Sequence, residues 1–525
     1  MKHHRQHIEL TAPAAFLRLA GILIVVFLLI GHPVSAQEVN LESRITLPRQ
    51  TTTIYSLLNQ ISRQTGYFFV YDSQLIDNNR SISIARAREP LEKLLDELLD
   101  DPTLKYRVLG NHILIYQQLE QENAALVEEV PKETPFVVKG RLLDQVTGSP
   151  LPFASVGIPE RGIGISSNTD GFFQLKVPGS LINKSLKISY MGYKSQEIPL
   201  ELMRGKQMDI IMETDYISMQ EVIIRYYDPK AIVMEALEKV PDNYSDKPVY
   251  LLSFYREGVQ RNNKFLNYSE AIFRVYKSPY ATPNGLDQVL LLKARNITNV
   301  DRSDTLAMKL KAGVRSSFEL DIVKSIPDFM DPESIQDYDF VNADLVTRNG
   351  RSVYAIEFKQ KDKNKKPLFQ GFLYVDMESL AFIGADFEMN PKYINRAKHR
   401  FITDWNSGFV LNMEKAKYTV SYQYFNGRYH LSHVRAELKM KIRQKNQFFN
   451  NNYSAFLEMA VCDVNQQDVK RFPRRESLKT HAAFIDQGYQ YDTSFWGDYN
   501  IIAPERHISE ALSKMQSKIE SFYEE

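Results

Sequence analysis

Residues 409–444 read FVLNMEKAKYTVSYQYFNGRYHLSHVRAELKMKIRQ. Two runs rich in aromatic and β-forming residues, Phe409 to Tyr424 and Tyr429 to Gln444, flank Phe425-Asn426-Gly427-Arg428. An Asn-Gly pair between such runs is the strongest short-range hairpin signal, because both central turn positions need φ > 0. The stretch predicts a long antiparallel hairpin. In its second arm Lys439, Lys441 and Arg443 alternate with Leu438, Met440 and Ile442, a pattern that suits a half-solvated sheet and a barrel wall equally well.

Further runs of the same kind surround this hairpin: Val249 to Arg256, Asn267 to Tyr276, Val353 to Lys359, Gly371 to Asp376 and Phe382 to Met389. Asp376 starts the turn between the last two. Asp228, followed by Pro229, can cap a helix carrying Ile232, Ala236, Leu237 and Val240. A second helix is expected from about Pro504 to Tyr523, with Ile508, Leu512, Met515 and Ile519 on one face. Residues 225–525 therefore read as a large, mainly antiparallel β domain with flanking helices.

Upstream, residues 136–213 lose the helical period. Val137 to Leu143, Phe153 to Ile158, Phe172 to Val177, Leu186 to Tyr190 and Met208 to Met212 read as strands, and Asp144 to Pro150 and Asn168-Thr169-Asp170-Gly171 as turns. The phrases Gly140-Arg141-Leu142-Leu143-Asp144, Pro152-Phe153-Ala154-Ser155-Val156, Thr169-Asp170-Gly171-Phe172-Phe173 and Ser189-Tyr190-Met191-Gly192-Tyr193 strongly resemble the carboxypeptidase regulatory-like domain. That resemblance implies a prealbumin-like β-sandwich of the kind attached to exported proteins, including SusC-type nutrient receptors, and one that hydrolyses nothing. Residues 119–135, with Glu120, Glu122, Glu128, Glu129 and Glu133 before Pro135, read as an acidic linker.

Residues 44–118 alternate strands and helices. Ile54, Leu57, Leu58 and Ile61 form one apolar stripe, and Leu91, Leu94, Leu95, Leu98 and Leu99 form another behind Pro90. Phe68 to Tyr71, Ser81 to Ile84, Lys105 to Leu109 and His112 to Tyr116 read as strands, the last two joined by Gly110-Asn111. The order Ile45-Thr46-Leu47, Gln64-Thr65-Gly66, Tyr67-Phe68-Phe69-Val70-Tyr71, Pro90 to Leu99 and Ile113 to Tyr116 resembles the short N-terminal (STN) domain of secretins and TonB-dependent receptors. This resemblance implies a periplasmic α+β module that binds protein partners, including anti-sigma regulators. The whole chain is thus expected to be multidomain, α+β and all-β.

Residues 1–36 carry Lys2, Arg5 and Arg18, an apolar run from Leu19 to Ile30, and small residues at Val34-Ser35-Ala36, the layout of a cleavable signal peptide. The run falls short of the roughly 20 residues that span a bilayer. No cysteine follows it, so no lipoprotein acylation site is expected. The single Cys462 reads as a small buried hydrophobe. Among 525 residues, Lys and Arg number 65 against 64 Asp and Glu, a formal charge of +1 that offers nothing to nucleic acid. With 43% apolar and 25% charged residues the balance is globular.

Motifs for catalysis are missing. His507 and Glu510 have the spacing of a zinc carboxypeptidase pair, but the 15 residues after Glu510 contain no further His. His430 and His433 are three apart in a strand, where alternation puts them on opposite faces. His3, His4 and His7 leave with the signal peptide. No His-Glu-x-x-His, Gly-x-Ser-x-Gly or phosphate-cradling loop occurs. The expectation is a protein that is not an enzyme, with no catalytic residue, cofactor or metal site. Lys359, Lys361, Lys363, Lys365 and Lys366 read as a solvated loop or as a docking site for anionic headgroups or an acidic partner. Tyr489, Tyr491, Phe495, Trp496 and Tyr499 read as a segment pinned to the core or as an exposed binding strip.

Gly371 to Ile383 is similar to a hairpin of LolA-like lipoprotein carriers, whose curved sheet wraps an apolar cavity. Three functions follow as expectations. The first is an envelope interaction protein, periplasmic and associated with the outer membrane, with partners of the outer-membrane receptor or anti-sigma regulator class. The second is a carrier of lipid or another apolar ligand. The third is a small outer-membrane barrel, since a plugged barrel of 22 strands needs more than the last 300 residues or so at about 10 residues a strand.

Overall fold

The computed structural model describes residues 41–72, 76, 80–85, 87–99, 101, 103–109, 112–117, 134–215, 228–282, 285–298, 313–401, 408–446, 448–478, 496–497, 499–506 and 508–510. The signal segment, Gly110-Asn111, nearly all of the linker, His507, Tyr489, Tyr491, Phe495 and the helix beyond Glu510 lie outside these residues. The chain forms two compact units, one of residues 1–69 and 77–119 and the other of residues 70–76 and 120–525.

The first unit contains β1 (Arg44–Leu47), β2 (Gln50–Thr53), α1 (Ile54–Thr65), the start of β3 (Phe68–Asp72), β4 (Ser81–Ile84), β5 (Ala87–Pro90), α2 (Leu91–Leu99), β6 (Leu104–Leu109) and β7 (His112–Gln117). Both leucine-rich stripes are buried as their spacing requires. Thr53 caps α1 by accepting from the Ser56 amide at 3.2 Å, and Gly66 ends it at φ 75. Strands β1 and β5, β2 and β4, and β6 and β7 pair antiparallel.

In the second unit, β8 (Phe136–Asp144), β9 (Ser155–Ile158), β10 (Ile163–Ser166), β11 (Phe172–Val177), β12 (Ser185–Ser189), β13 (Gln196–Pro199), α3 (Leu200–Met203) and β14 (Gln207–Met212) build a β-sandwich. One of its sheets runs β10-β9-β12-β13, and the other contains β11-β8-β14. Its turns rest on side chains the sequence singled out. Asp144 accepts from the Thr147 amide at 2.6 Å and its hydroxyl at 2.7 Å, and Tyr193 donates to the other carboxylate oxygen at 2.8 Å. Burial pushes the Asp144 carboxyl up, but these bonds prevail and hold it below its ordinary value.

After α4 (Pro229–Glu238), capped by Asp228 at 3.0 Å from the Lys230 amide, and α5 (Val240–Asn243), come β15 (Val249–Arg261), β16 (Lys264–Lys277), β17 (Gln288–Thr298), α6 (Val314–Glu319), β18 (Tyr338–Arg348), β19 (Arg351–Gln360), β20 (Phe369–Asp376), β21 (Phe382–Met389), β22 (Phe409–Phe425), β23 (Arg428–Gln444) and β24 (Asn451–Asn465). The ten strands give one antiparallel sheet in the order β17-β16-β15-β24-β23-β22-β21-β20-β19-β18. Asn426 and Gly427 make the expected turn at φ 48 and 80. The sheet is open, with β17 and β18 as its edges, whereas a barrel closes on itself and has none. Among the described residues, then, these strands do not form the small barrel held out as one expectation.

One face of the sheet is a continuous apolar core. Ile232, Val233 and Ala236 of α4 and Val314, Ile322, Val323, Phe329 and Met330 cover Leu251, Tyr255, Phe273, Val375 and Leu457. A polar knot is set into it: Asp321, fully buried, accepts from Tyr422 at 2.7 Å and Tyr280 at 3.0 Å and pairs with Lys277 at 2.7 Å. Burial would lower the Lys277 pKa, but Asp321 and Asp287 hold it above its ordinary value. Cys462 is buried, and that burial pushes its thiol up to about 12.

Candidate functional site

On the opposite face of the sheet, charges replace hydrocarbon. Cross-strand register places Arg435 opposite Glu458, Glu458 opposite Arg256, Arg256 opposite Glu270 and Glu270 opposite Arg295. Five neighbouring strands, β23 to β17, thus carry alternating positive and negative groups. Arg256 Nε lies 2.6 Å from Glu458 Oε2, Arg435 Nη1 3.1 Å from the same oxygen, and Arg295 Nε 2.6 Å from Glu270 Oε2. Glu505 adds a third carboxylate, 3.1 Å from Arg256 and 3.4 Å from Arg435. Burial would raise the Glu458 carboxyl, yet Arg256, Arg435 and His433 keep it far below the usual carboxylate range.

The row joins the sandwich to the sheet. Phe153, held at φ 62, stacks on His433 with ring centroids 5.2 Å apart and lies 5.2 Å from the Arg435 guanidinium. Asn168 accepts from the Asp170 and Phe172 amides and donates to the Ala503 carbonyl at 3.0 Å. Trp496 covers Arg295 at 5.0 Å and is itself buried. Trp496 therefore pins its segment to the core, the first of the two readings given for the aromatic-rich tail.

His430 and His433 correct the expectation of opposite faces. A bulge in β23 leaves Ser432 without a counterpart: Tyr422 faces Leu431, but Ser421 faces His433, while Gln423 faces His430. The extra residue resets the alternation, and both rings fall on the side of Ser421 and Gln423. His433 Nε2 lies 2.8 Å from Glu458. His430, 1% exposed, has an Nε2 with no partner among the described residues, and burial drives its pKa down to about 4.

The candidate site is a cavity of about 270 Å³ beside this junction. Its basic wall is the β18–β19 hairpin, whose turn residues Asn349 and Gly350 have φ 55 and 73 and hold Arg348 opposite Arg351. Gly157, Gly164 and Lys187 of the sandwich and Tyr422, Tyr424, Phe425 and Tyr429 of the sheet also line it. The Gly192 amide donates to the Thr347 carbonyl at 2.8 Å and ties the sandwich to this hairpin.

Three features give the cavity its chemistry. Arg348, half-buried, donates to the Ile383 carbonyl at 2.7 Å and has no carboxylate within ion-pair distance among the described residues. Burial lowers its pKa to about 10. Arg351 sits 5.7 Å above the Tyr424 ring and 3.9 Å from Asp376. Asp376 is 1% exposed; its Oδ1 accepts from the Ser379 amide and hydroxyl, but its Oδ2 has no hydrogen-bond partner among the described residues. A guanidinium fork matches a carboxylate, and the spare Asp376 oxygen suits an N–H next to it.

Sequence reasoning missed Arg348 and Arg351. The signal was there: Arg348-Asn349-Gly350-Arg351 repeats the Asn-Gly pattern that identified the long hairpin. Glu510 is described, but its proposed partner His507 is not. Among the described residues no group of three His, Cys, Asp or Glu could hold a metal, and no helix is long and apolar enough to cross a membrane.

Comparison with known proteins gives one family. No curated protein matches the chain. Among solved structures, a DUF1329 family protein from Desulfovibrio piger aligns at 11% identity over 47% of this chain and 96% of its own, with a TM-score of 0.21. A LolA superfamily protein from Nitrosomonas europaea aligns at 10% identity over 48% and 99%, with a TM-score of 0.17. The ferripyoverdine receptor of the Pseudomonas aeruginosa outer membrane aligns at 10% identity over 83% and 60%, with a TM-score of 0.13. All three scores lie below 0.5. Residues 138–224 match the CarboxypepD_reg-like domain, and the sandwich that opens on Phe136 carries that domain.

Proposed function

We propose that this chain is an exported, non-catalytic interaction protein of the envelope, and that the junction of its sandwich and ten-stranded sheet receives an anionic segment of a protein partner. The observation that carries the reading is Arg348: a half-buried guanidinium, aimed by a tight turn into a cavity, with no carboxylate in ion-pair range among the described residues. Burying a cation without an anion is costly, and a ligand carboxylate removes that cost. Export is supported by the signal-like segment, and partner binding by the STN-like phrases of residues 44–118. The buried charges of the neighbouring row are committed to one another, which supports a bracing role for them rather than catalysis.

A carrier of apolar ligand is less favoured, because the face where the carrier fold would hold lipid is occupied. There Phe329 stacks on Phe358 at a centroid distance of 4.2 Å and meets Phe387 at 5.1 Å.

A photo-crosslinking residue placed at Tyr424 tests the proposal in cells. Cross-links to an acidic stretch of a partner protein, lost when Arg348→Met and Arg351→Met are combined, are expected. Cross-links unchanged by that pair of substitutions, or none above the level seen with the probe at exposed Glu201, which is not part of the cavity lining, would overturn it.

A further inference from the structure

Strand directions put the connections β15–β16, β19–β20, β21–β22 and β23–β24 at the same end of the ten-stranded sheet. The strands they join are neighbours, spaced about 4.8 Å apart, so this end spans about 35 Å. It carries an excess of cations. Residues 361–368 contain four Lys, residues 390–408 four Lys or Arg and residues 445–450 one, against Asp362, Asp404 and, in the segment that enters β18 at this end, Asp331, Glu333 and Asp337, the last of which pairs with Lys366 at 3.6 Å. Arg396 donates to the Lys365 carbonyl at 2.6 Å, which fixes the lysine-rich loop beside the segment carrying Lys392, Lys398 and Arg400. All four of these cations and Lys445 are exposed.

Two phenylalanines project from the same end. Phe448 and Phe449, in the β23–β24 connection, are 95% and 86% exposed, the largest values among the exposed apolar residues. A soluble loop has no use for two adjacent bare aromatic rings. Flanked by cations, they match the requirements of a bilayer surface: aromatic rings enter the boundary between headgroups and acyl chains, and Lys and Arg meet the anionic headgroups. A polyanion without an apolar layer would satisfy the charges and leave the rings in water.

We infer that this end of the sheet docks on an anionic bilayer surface, with Phe448 and Phe449 inserted and the Lys365, Lys392, Arg396, Lys398 and Arg400 cluster resting on lipid phosphates. The docking end lies away from the Arg348 cavity, at the other ends of the same strands, and does not depend on what the cavity binds.

Flotation of the full chain with lipid vesicles tests this. Binding is expected to be several-fold stronger to phosphatidylcholine vesicles containing one-third phosphatidylglycerol than to phosphatidylcholine alone, and that difference to shrink as salt screens the charges. Phe448→Ser combined with Phe449→Ser should lower partitioning about ten-fold without moving the unfolding midpoint, since both rings are solvent-exposed. Lys398→Gln and Arg400→Gln should each cost about five-fold. The apolar segment Leu19 to Ile30 is present in every chain compared, so the differences report on the tip. Equal partitioning of the double Phe variant, or retention on heparin that explains all of the charge dependence while the rings contribute nothing, would overturn the inference.

Discussion

Arg256 Nε and Glu458 Oε2 face each other across β15 and β24 at 2.6 Å, and solvent reaches neither side chain. Such a pair adds little net stability over a hydrocarbon pair of equal volume, because two charges had to be stripped of water. Removing one partner is another matter. Glu458→Gln leaves Arg256 and Arg435 sharing only Glu505, and should cost about 3–5 kcal/mol. Arg256→Met combined with Glu458→Met should cost less than the two single changes added. Urea unfolding of the four proteins checks both expectations.

His430 makes stability depend on pH. Its imidazole has a pKa near 4 in the folded chain against about 6.5 when unfolded. The unfolded state therefore binds the extra proton between these values, and stability rises with pH across that window. The contribution is complete above about pH 6.5 and is lost as the pH falls through 4, to a total of about 3 kcal/mol. His430→Gln should flatten this part of the profile, measured by urea unfolding at a series of pH values.

Asn168 joins a sandwich turn to the C-terminal segment, and both ends of its amide are used. Asn168→Ala should cost about 2 kcal/mol, the penalty of leaving buried backbone groups unpaired. It should also speed proteolysis within residues 499–506. Mapping the earliest cleavage site with the sandwich still protected distinguishes release of the segment from global unfolding.

Gly427 sits at φ 80 in the β22–β23 turn with open space around it. A side chain there meets no neighbour, so the cost of Gly427→Ala is conformational alone, about 1–2 kcal/mol. Gly371→Ala should cost more, because its Cβ would collide with the Asp386 carbonyl and Phe387. Thermal unfolding of the two variants ranks them.

Local signals carried much of the fold. Asn426-Gly427 announced the longest hairpin, Asp228-Pro229 a helix start, and Asp376 its turn, because each is decided by a few adjacent residues. The His430 and His433 placement failed for a different reason. Whether Ser432 bulges out depends on how β22, β23 and β24 share one register, which no pattern in β23 alone reveals. The charge row was hidden more deeply still. Arg435, Glu458, Arg256, Glu270 and Arg295 become neighbours only through the order β23-β24-β15-β16-β17, and each taken singly reads as a solvent-facing charge. Arg348 was missed although its turn was legible, since nothing nearby in sequence says that the sandwich will roof it.

The alternating row also restricts how this chain can change over generations. A reversal of charge at Glu458 confronts two guanidiniums at once, so a tolerated replacement there needs matching replacements on β15 and β23, which are nearly 180 positions apart in the chain. The strands should drift in concert, and paired substitutions at positions 256, 270, 295, 435 and 458 would record a shared history that the exposed loops do not keep.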